Sequence, residues 1–162
     1  MHTNSNQLVA VNSFDEHLIA PCGMNCGVCS SYLAMTLELR AKGFRLPYCA
    51  GCRVRQKQCA LLKKRCPLLA QNQIAFCFEC DRFACRGLQA IDLRYRTLYR
   101  TSLVANLKAI QRDGLPSFLQ NARHQSACPV CGGVICCHNH LCYQCDLEKL
   151  RAKSKIYRWD EE

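Results

Sequence analysis

Apolar residues recur at steps of three and four along one long stretch of the chain, which predicts an amphipathic helix there. This helix is expected from about Leu88 to Arg112, with a single stripe of leucine, isoleucine and tyrosine. The "DGLP" that follows ends it, and Pro116 can open a second, shorter helix. The pattern therefore predicts a helical hairpin over residues 88–124.

Outside this hairpin the hydrophobic pattern is short-ranged. The segment from Ser30 suits a helix, with Gly43 as its C-cap. Residues 44–87 keep no amphipathic period and hold seven cysteines instead. The polar residues 1–17 are expected to form a flexible arm. These segments suggest loops and short helices rather than a large regular core.

Composition shows what would hold such a chain together. Of its 162 residues, 16 are cysteine, a share typical of small modules stapled by disulfides or metals. We therefore expect a small α-rich, irregular, metal-stabilised fold with the helical hairpin and a C-terminal zinc-ribbon-like module. Its predicted parts are the arm at 1–17, a cysteine-rich α domain at 18–125, the module at 126–147 and a tail at 148–162.

Metal is favoured over disulfides by the context of the cysteines. The first 20 residues lack the basic start and unbroken apolar run of a signal peptide, and no apolar run approaches a membrane span. A cytoplasmic location without membrane contact is therefore expected. In a reducing compartment, cysteines two residues apart are typical of metal sites.

The basic charge has two explanations. The formal net charge of +10 suggests nucleic acid or an acidic surface as a partner. If all 16 cysteines were thiolates on four divalent ions, however, the net charge would fall to about +2. The basic residues can therefore largely balance sulfur charge.

The clearest motif is the C-terminal "CPVCGGVICCHNHLCYQC". Two pairs spaced as C-x2-C at a short separation are typical of a structural zinc ribbon, and a single redox iron is less favoured. The predicted ligands are Cys128, Cys131, Cys142 and Cys145. The same loop also carries Cys136, Cys137, His138 and His140, which are either spare or the ligands of a second site.

Two further groups lie in the middle of the chain. The first has four cysteines and could close a site alone, and the second has three and needs another ligand. Their members are Cys49, Cys52, Cys59 and Cys66, then Cys77, Cys80 and Cys85.

The opening run "PCGMNCGVC" places Cys22, Cys26 and Cys29 before the helix at Ser30. Its spacing is that of the cluster loop in radical enzymes that cleave S-adenosylmethionine, but the alternating strands and helices of such a barrel are missing. "CGVC" also suggests a thioredoxin-type pair, which lacks its βαβ context here. A metal knuckle at a helix start is favoured, completed by Cys85 or one of Cys136 and Cys137.

The order of these motifs resembles a known family. "LIAPCGMNCGVCSSYL", "CAGCR", "CPLLAQNQIAFCFECDRFACRGL", "NLKAIQRDGLPSFL" and the C-terminal motif are similar to an uncharacterised cysteine-rich family, common in anaerobic bacteria and archaea, over roughly residues 18–146. The resemblance implies metal binding and no assigned activity. It supports thirteen patterned cysteines, all those named above except Cys59, Cys136 and Cys137. This chain has "FAC" where the family has F-P-C, and lacks a tryptophan before the last module.

The function expected is a metal-binding, mainly zinc, interaction module with another protein as its partner. No acid–base or nucleophile constellation stands out, so an enzyme is not favoured. An iron–sulfur protein is the first alternative, with the opening run and Cys77 to Cys85 as ligands. A nucleic-acid-binding zinc protein is the second, in which Tyr95 and Tyr99 stack on bases beside basic groups. A metal or sulfur chaperone is a further alternative.

Overall fold

The computed structural model describes residues 13–55 and 65–160 of the chain. Within these ranges the backbone forms seven α-helices and three short 3-10 turns, with isolated β-bridges in place of strands. The helices are α1 (Ser30–Thr36), α2 (Cys52–Arg55), α3 (Pro67–Ala70), α4 (Arg86–Tyr99), α5 (Leu103–Asp113), α6 (Leu115–Gln125) and α7 (Leu147–Ala152). The 3-10 turns are Glu16–Leu18, Cys26–Val28 and Cys77–Glu79.

This architecture confirms the expected α-rich fold. Most of the predicted arm, and Cys59 in the middle of the chain, lie outside the described residues. None of the helices in the described ranges combines the length and apolarity that a membrane span requires.

The prediction of one continuous helix from Leu88 to Arg112 is wrong, because the structure has two helices in this segment. The chain leaves the helix at Arg100, whose φ of 51° is left-handed, and starts again after Ser102. The Ser102 hydroxyl caps the new helix by accepting from the backbone N–H of Ala105 at 3.0 Å. The apolar stripe did not reveal the break because α4 and α5 bury their apolar faces in the same core. Three helices, not two, therefore span residues 86–125.

The helix that begins at Ser30 is also shorter than predicted. It ends at Thr36, and Glu38 adopts a left-handed φ of 51°. Gly43 closes a later turn, in which its N–H donates to the carbonyl of Arg40. Pro116, in contrast, lies in the first turn of α6 as expected.

The main core lies between the opening run and the helical segment. It is built from seven buried residues: Ala20, Cys22, Met24, Leu69, Leu88, Leu103 and Leu107. Gly23 allows the closest approach, because a Cβ at this position would lie 2.5 Å from the carbonyl oxygen of Leu103. The amide of Asn106 then donates to the Gly23 carbonyl at 2.9 Å. The opening cysteine run is thus fixed against α5.

A second core joins the C-terminal module to α1. Tyr143 is fully buried, and its hydroxyl lies 2.6 Å from the hydroxyl of Ser30 and accepts from the amide of Asn139 at 2.9 Å. Leu33 and Leu150 pack in the same cluster. Tyr143 therefore docks the module against α1.

Candidate metal centre

The first pair of cysteines lies on a tight turn directly after α6. The N–H of Cys128 donates to the carbonyl of Gly133 at 2.8 Å, and the N–H of Gly132 returns to the carbonyl of Cys128 at 2.9 Å. Gly132 has a φ of 72°, a conformation that glycine adopts without strain. The N–H of Gly133 then donates to the Cys131 sulfur at 3.3 Å. The turn thus aims backbone donors at sulfur, as a thiolate ligand requires.

The second pair lies on a turn that leads into α7. The N–H of Asp146 donates to the carbonyl of Cys142 at 2.7 Å, and the Asp146 carboxylate accepts from the N–H of Cys142 at 2.9 Å. Lys149 pairs with this carboxylate at 3.0 Å. These contacts lower the pKa of Asp146, first through the Cys142 N–H and then through the Lys149 ammonium. A charged carboxylate therefore fixes the second turn.

The four sulfurs meet at one point. Those of Cys128, Cys131, Cys142 and Cys145 all lie within 4.8 Å of one another, and Cys131 and Cys142 are 3.6 Å apart. Two thiolates on one tetrahedral zinc at ~2.3 Å would lie about 3.8 Å apart. All four are free cysteines. The residues present therefore fit one tetrahedral metal ion.

The site is half-enclosed. Cys128 and Cys142 are buried, whereas Cys131 and Cys145 face solvent. An antiparallel bridge between Ala127 and Val134 closes the first turn, and a second bridge between Ile135 and Cys142 pairs the segment that leaves it with the start of the second turn. A shared ion would add a direct link between the two turns.

The thiols differ in how readily they ionise. Backbone N–H groups of Cys131 and Val130 lower the pKa of Cys128 to about 7. Hydrogen bonding to the Cys131 sulfur, with burial, raises the pKa of Cys145 to about 12, and burial raises that of Cys142. One thiolate is thus available near neutral pH, and metal binding would release the remaining protons.

The other polar residues of the C-terminal loop have structural contacts. His138 is buried, and its Nδ1 accepts the backbone N–H of Ser30 at 3.2 Å, while burial lowers its pKa to about 4. The ring of His140 stacks on Trp159 with centroids 4.2 Å apart. Cys136 is fully buried in the core beside α1. None of the three belongs to the four-sulfur group.

The remaining predicted ligands do not form a comparably compact group within the described ranges. Cys49 and Cys26 accept N–H groups from Gly51 and Cys52 at 3.4 and 3.3 Å, respectively. Cys80 accepts from Arg82 at 3.4 Å, and its thiol contacts Asp81. Cys85 is exposed at the start of α4. Cys22, Cys29, Cys52, Cys66 and Cys77 contribute to the main core. The four-ligand site predicted at Cys49, Cys52, Cys59 and Cys66 lies partly outside the described residues.

Fold and site together define a cysteine-rich helical protein with a four-cysteine group able to hold a metal ion. Residues 18–90 match the family described as "Protein of unknown function (DUF3795)". The resemblance to an uncharacterised cysteine-rich family is thus confirmed, over a shorter segment than the 18–146 expected. The four-cysteine group lies beyond the matched segment. No curated protein and no solved structure matches the chain.

Proposed function

We propose that the chain is a metal-binding interaction module in which Cys128, Cys131, Cys142 and Cys145 hold one structural zinc ion. The observation that carries this proposal is the convergence of four sulfurs within 4.8 Å. Four thiolates in tetrahedral arrangement suit zinc, and they leave no open position for substrate. Zinc would then complete the two turns as a ribbon-like module.

Elemental analysis tests the zinc site. Protein purified without oxygen should contain one zinc per chain at this site, and Cys145→Ser should lose it. Cys136→Ser is the matched control, because Cys136 lies in the same loop but outside the four-sulfur group. Equal zinc in both variants would refute the assignment. If the analysis found iron without acid-labile sulfide at this site, the bound metal would be a single iron ion and the zinc assignment would be wrong.

A protein partner is proposed for the exposed side of this module. Val130 stands between two of the proposed ligands and, at 83%, is the most exposed of the large apolar side chains in the described ranges. Nucleic-acid binding was expected to use Tyr95 and Tyr99 to stack on bases, but neither ring lies open on the surface. Tyr99 is only 8% exposed, and Tyr95 packs against the main core. Arg53 is also engaged internally, donating to the carbonyls of Ile19 and Ala75.

Site-specific cross-linking tests the partner class. A photo-reactive amino acid at position 130 should cross-link to protein in cells, and the same group at the exposed Thr97 on α4 is the control. Cross-links to RNA, or equal protein cross-linking from both positions, would contradict a protein-binding surface at Val130.

A further inference from the structure

A cleft of about 210 Å³ lies where the opening run, α5, α6 and the C-terminal loop meet. The opening run contributes Met24 and Val28 to its lining, α6 contributes Phe118, and the loop contributes Ile135. An apolar cavity of ~150 Å³ is large enough to hold benzene. The cleft therefore has room for a small ring with one substituent, roughly eight or nine non-hydrogen atoms.

Asn25 presents a hydrogen-bond donor to this cleft. The residue lines the cleft, is only 5% exposed, and accepts the N–H of Gly27 at its Oδ1 at 2.9 Å. That bond identifies the other end of the side chain as the N–H₂ group, which has no hydrogen-bond partner among the described residues. An amide N–H in such an enclosed position is costly to leave unpaired. Nδ2 of Asn25 therefore requires an acceptor inside the cleft.

Asn106 supplies the complementary acceptor. Its Nδ2 donates to the carbonyl of Gly23 at 2.9 Å, which leaves its Oδ1 without a partner in the described part of the chain. Gly23 and Asn25 lie on one turn of the opening run, in which the N–H of Gly23 donates to the carbonyl of Ala20. Both amides are thus held to the same turn at one end and unpaired at the other. Little side-chain freedom would be lost when a ligand binds them.

The lining offers no full charge to a ligand. Among the described residues that form it, none is lysine, arginine, aspartate or glutamate. Burial raises the pKa of its two thiols, Cys136 and Cys137, which keeps them neutral. The ring of His140, which also lines the cleft, stacks on Trp159. A charged ligand would therefore lose its hydration here without gaining a countercharge.

We propose that this cleft binds a small uncharged molecule that has an apolar ring and an amide-type edge. The ligand's carbonyl accepts from Nδ2 of Asn25, and its N–H donates to Oδ1 of Asn106. Its ring packs on the apolar lining beside Met24 and Phe118. The edge must carry one acceptor and one donor, because these are the groups that complement the two unpaired ends. The site uses none of the four proposed zinc ligands.

Titration of metal-loaded, full-length protein with benzamide tests the site, because benzamide joins a phenyl ring to one amide. Calorimetry measures the affinity, and NMR shifts of the side-chain amides of Asn25 and Asn106 locate the bound molecule. Acetophenone lacks the N–H donor and should bind about tenfold more weakly. Benzoate has a similar shape and a negative charge, and it should bind more weakly than benzamide. No saturable binding of benzamide, or benzoate bound as tightly, would overturn the proposal.

The variant Asn25→Asp tests the donor. It keeps an oxygen for the N–H of Gly27 but replaces the unpaired N–H₂ group by a second oxygen. Its affinity for benzamide should fall by about tenfold or more. It should instead prefer benzamidine, whose cationic amidinium donates where the amide carbonyl accepts. An unchanged preference for benzamide would refute the role of Asn25.

The variant Ala122→Phe tests the location. It places a ring in the cleft from α6 and should abolish benzamide binding. Ala105→Phe is the matched control, since Ala105 is exposed on α5 outside the lining, and it should bind benzamide like the wild type. Helical circular dichroism and zinc content show whether each variant is folded. Equal binding by the two folded variants would place benzamide elsewhere and overturn the proposal.

Discussion

Replacing Asp92 with alanine should destabilise the helical segment, because Asp92 joins α4 to the beginning of α5. Its carboxylate accepts from the hydroxyl of Ser102 at 2.8 Å, from the N–H of Val104 at 3.0 Å and from Arg96 at 2.8 Å. Asp92 itself is only 6% exposed. The same helix carries Tyr95, which packs against the main core.

The magnitude follows from the hydrogen bonds and the ion pair that the substitution removes. Removing an N-terminal cap of a helix costs about 0.5–2 kcal/mol. The additional hydrogen bond contributes about 1 kcal/mol. The pair with Arg96, whose side chain is 55% exposed, adds about 0.3–0.5 kcal/mol. We therefore expect Asp92→Ala to lower the free energy of unfolding by about 2–3.5 kcal/mol.

The loss should depend on pH. Burial alone would raise the pKa of Asp92, but the N–H of Val104, the hydroxyl of Ser102 and the guanidinium of Arg96 together hold it below its ordinary value. Its stabilising contribution is therefore complete above the unfolded pKa of about 3.9 and disappears as the pH falls through the lower folded value. The difference between wild type and Asp92→Ala should shrink accordingly in acid.

Urea unfolding of metal-loaded protein, followed by circular dichroism, measures both effects. Asp92→Asn keeps an acceptor oxygen and should lose less stability but show the same loss of pH dependence. Asp113→Ala is the control, since its surface carboxylate pairs with the neighbouring Arg112 and joins no two helices. Equal unfolding midpoints for wild type and Asp92→Ala near neutral pH would refute this account of the corner.

Four other substitutions, the last a control, test the remaining structure. Cys128→Ser should speed hydrogen exchange throughout residues 128–145 and leave α4 to α6 protected; unchanged exchange in that loop would contradict the zinc site. Leu107→Ala should cost about 2–5 kcal/mol in urea unfolding, because the side chain is fully buried, and a loss under about 1 kcal/mol would show that the core is loose there. Gly23→Ala should cost about 3 kcal/mol and Gly51→Ala about 1 kcal/mol. Both glycines have positive φ, but only at Gly23 would a Cβ meet backbone; equal losses would argue against that contact.

The sequence could predict what is local in the chain. The four-sulfur group was predictable because each half is a turn of four residues, whose spacing alone limits its geometry. The start of α1 at Ser30 and the first turn of α6 at Pro116 were also predictable, because each depends only on residues next to it in the sequence. The break at Arg100 was not, since the Asp92 carboxylate that holds the new helix start lies ten residues before Ser102 and shows no capping pattern.

The sequence left the partner of the opening run open between Cys85 and one of Cys136 and Cys137, because tertiary packing decides which of them lies nearby. Cys137 approaches Cys29 through a backbone bond to Val28, which no spacing in the sequence encodes. Cys85, an equally reasonable candidate in the sequence, is exposed at the start of α4. Spacing along the chain thus predicted the four-sulfur group on two short turns, but it could not choose among cysteines that lie on different elements.

The proposed zinc site is physically linked to the rest of the fold through the loop between its two turns. In this loop the N–H of Cys137 donates to the carbonyl of Val28, and the neighbouring His138 accepts the N–H of Ser30. Zinc that ordered both turns would also restrict this loop, so that less conformational entropy would be lost when the loop packs against the opening run and α1. Coupling of this kind is reciprocal, so packing of the loop would strengthen zinc binding by the same factor. A chain with a thin core would thereby gain cooperativity from its metal rather than from additional apolar burial.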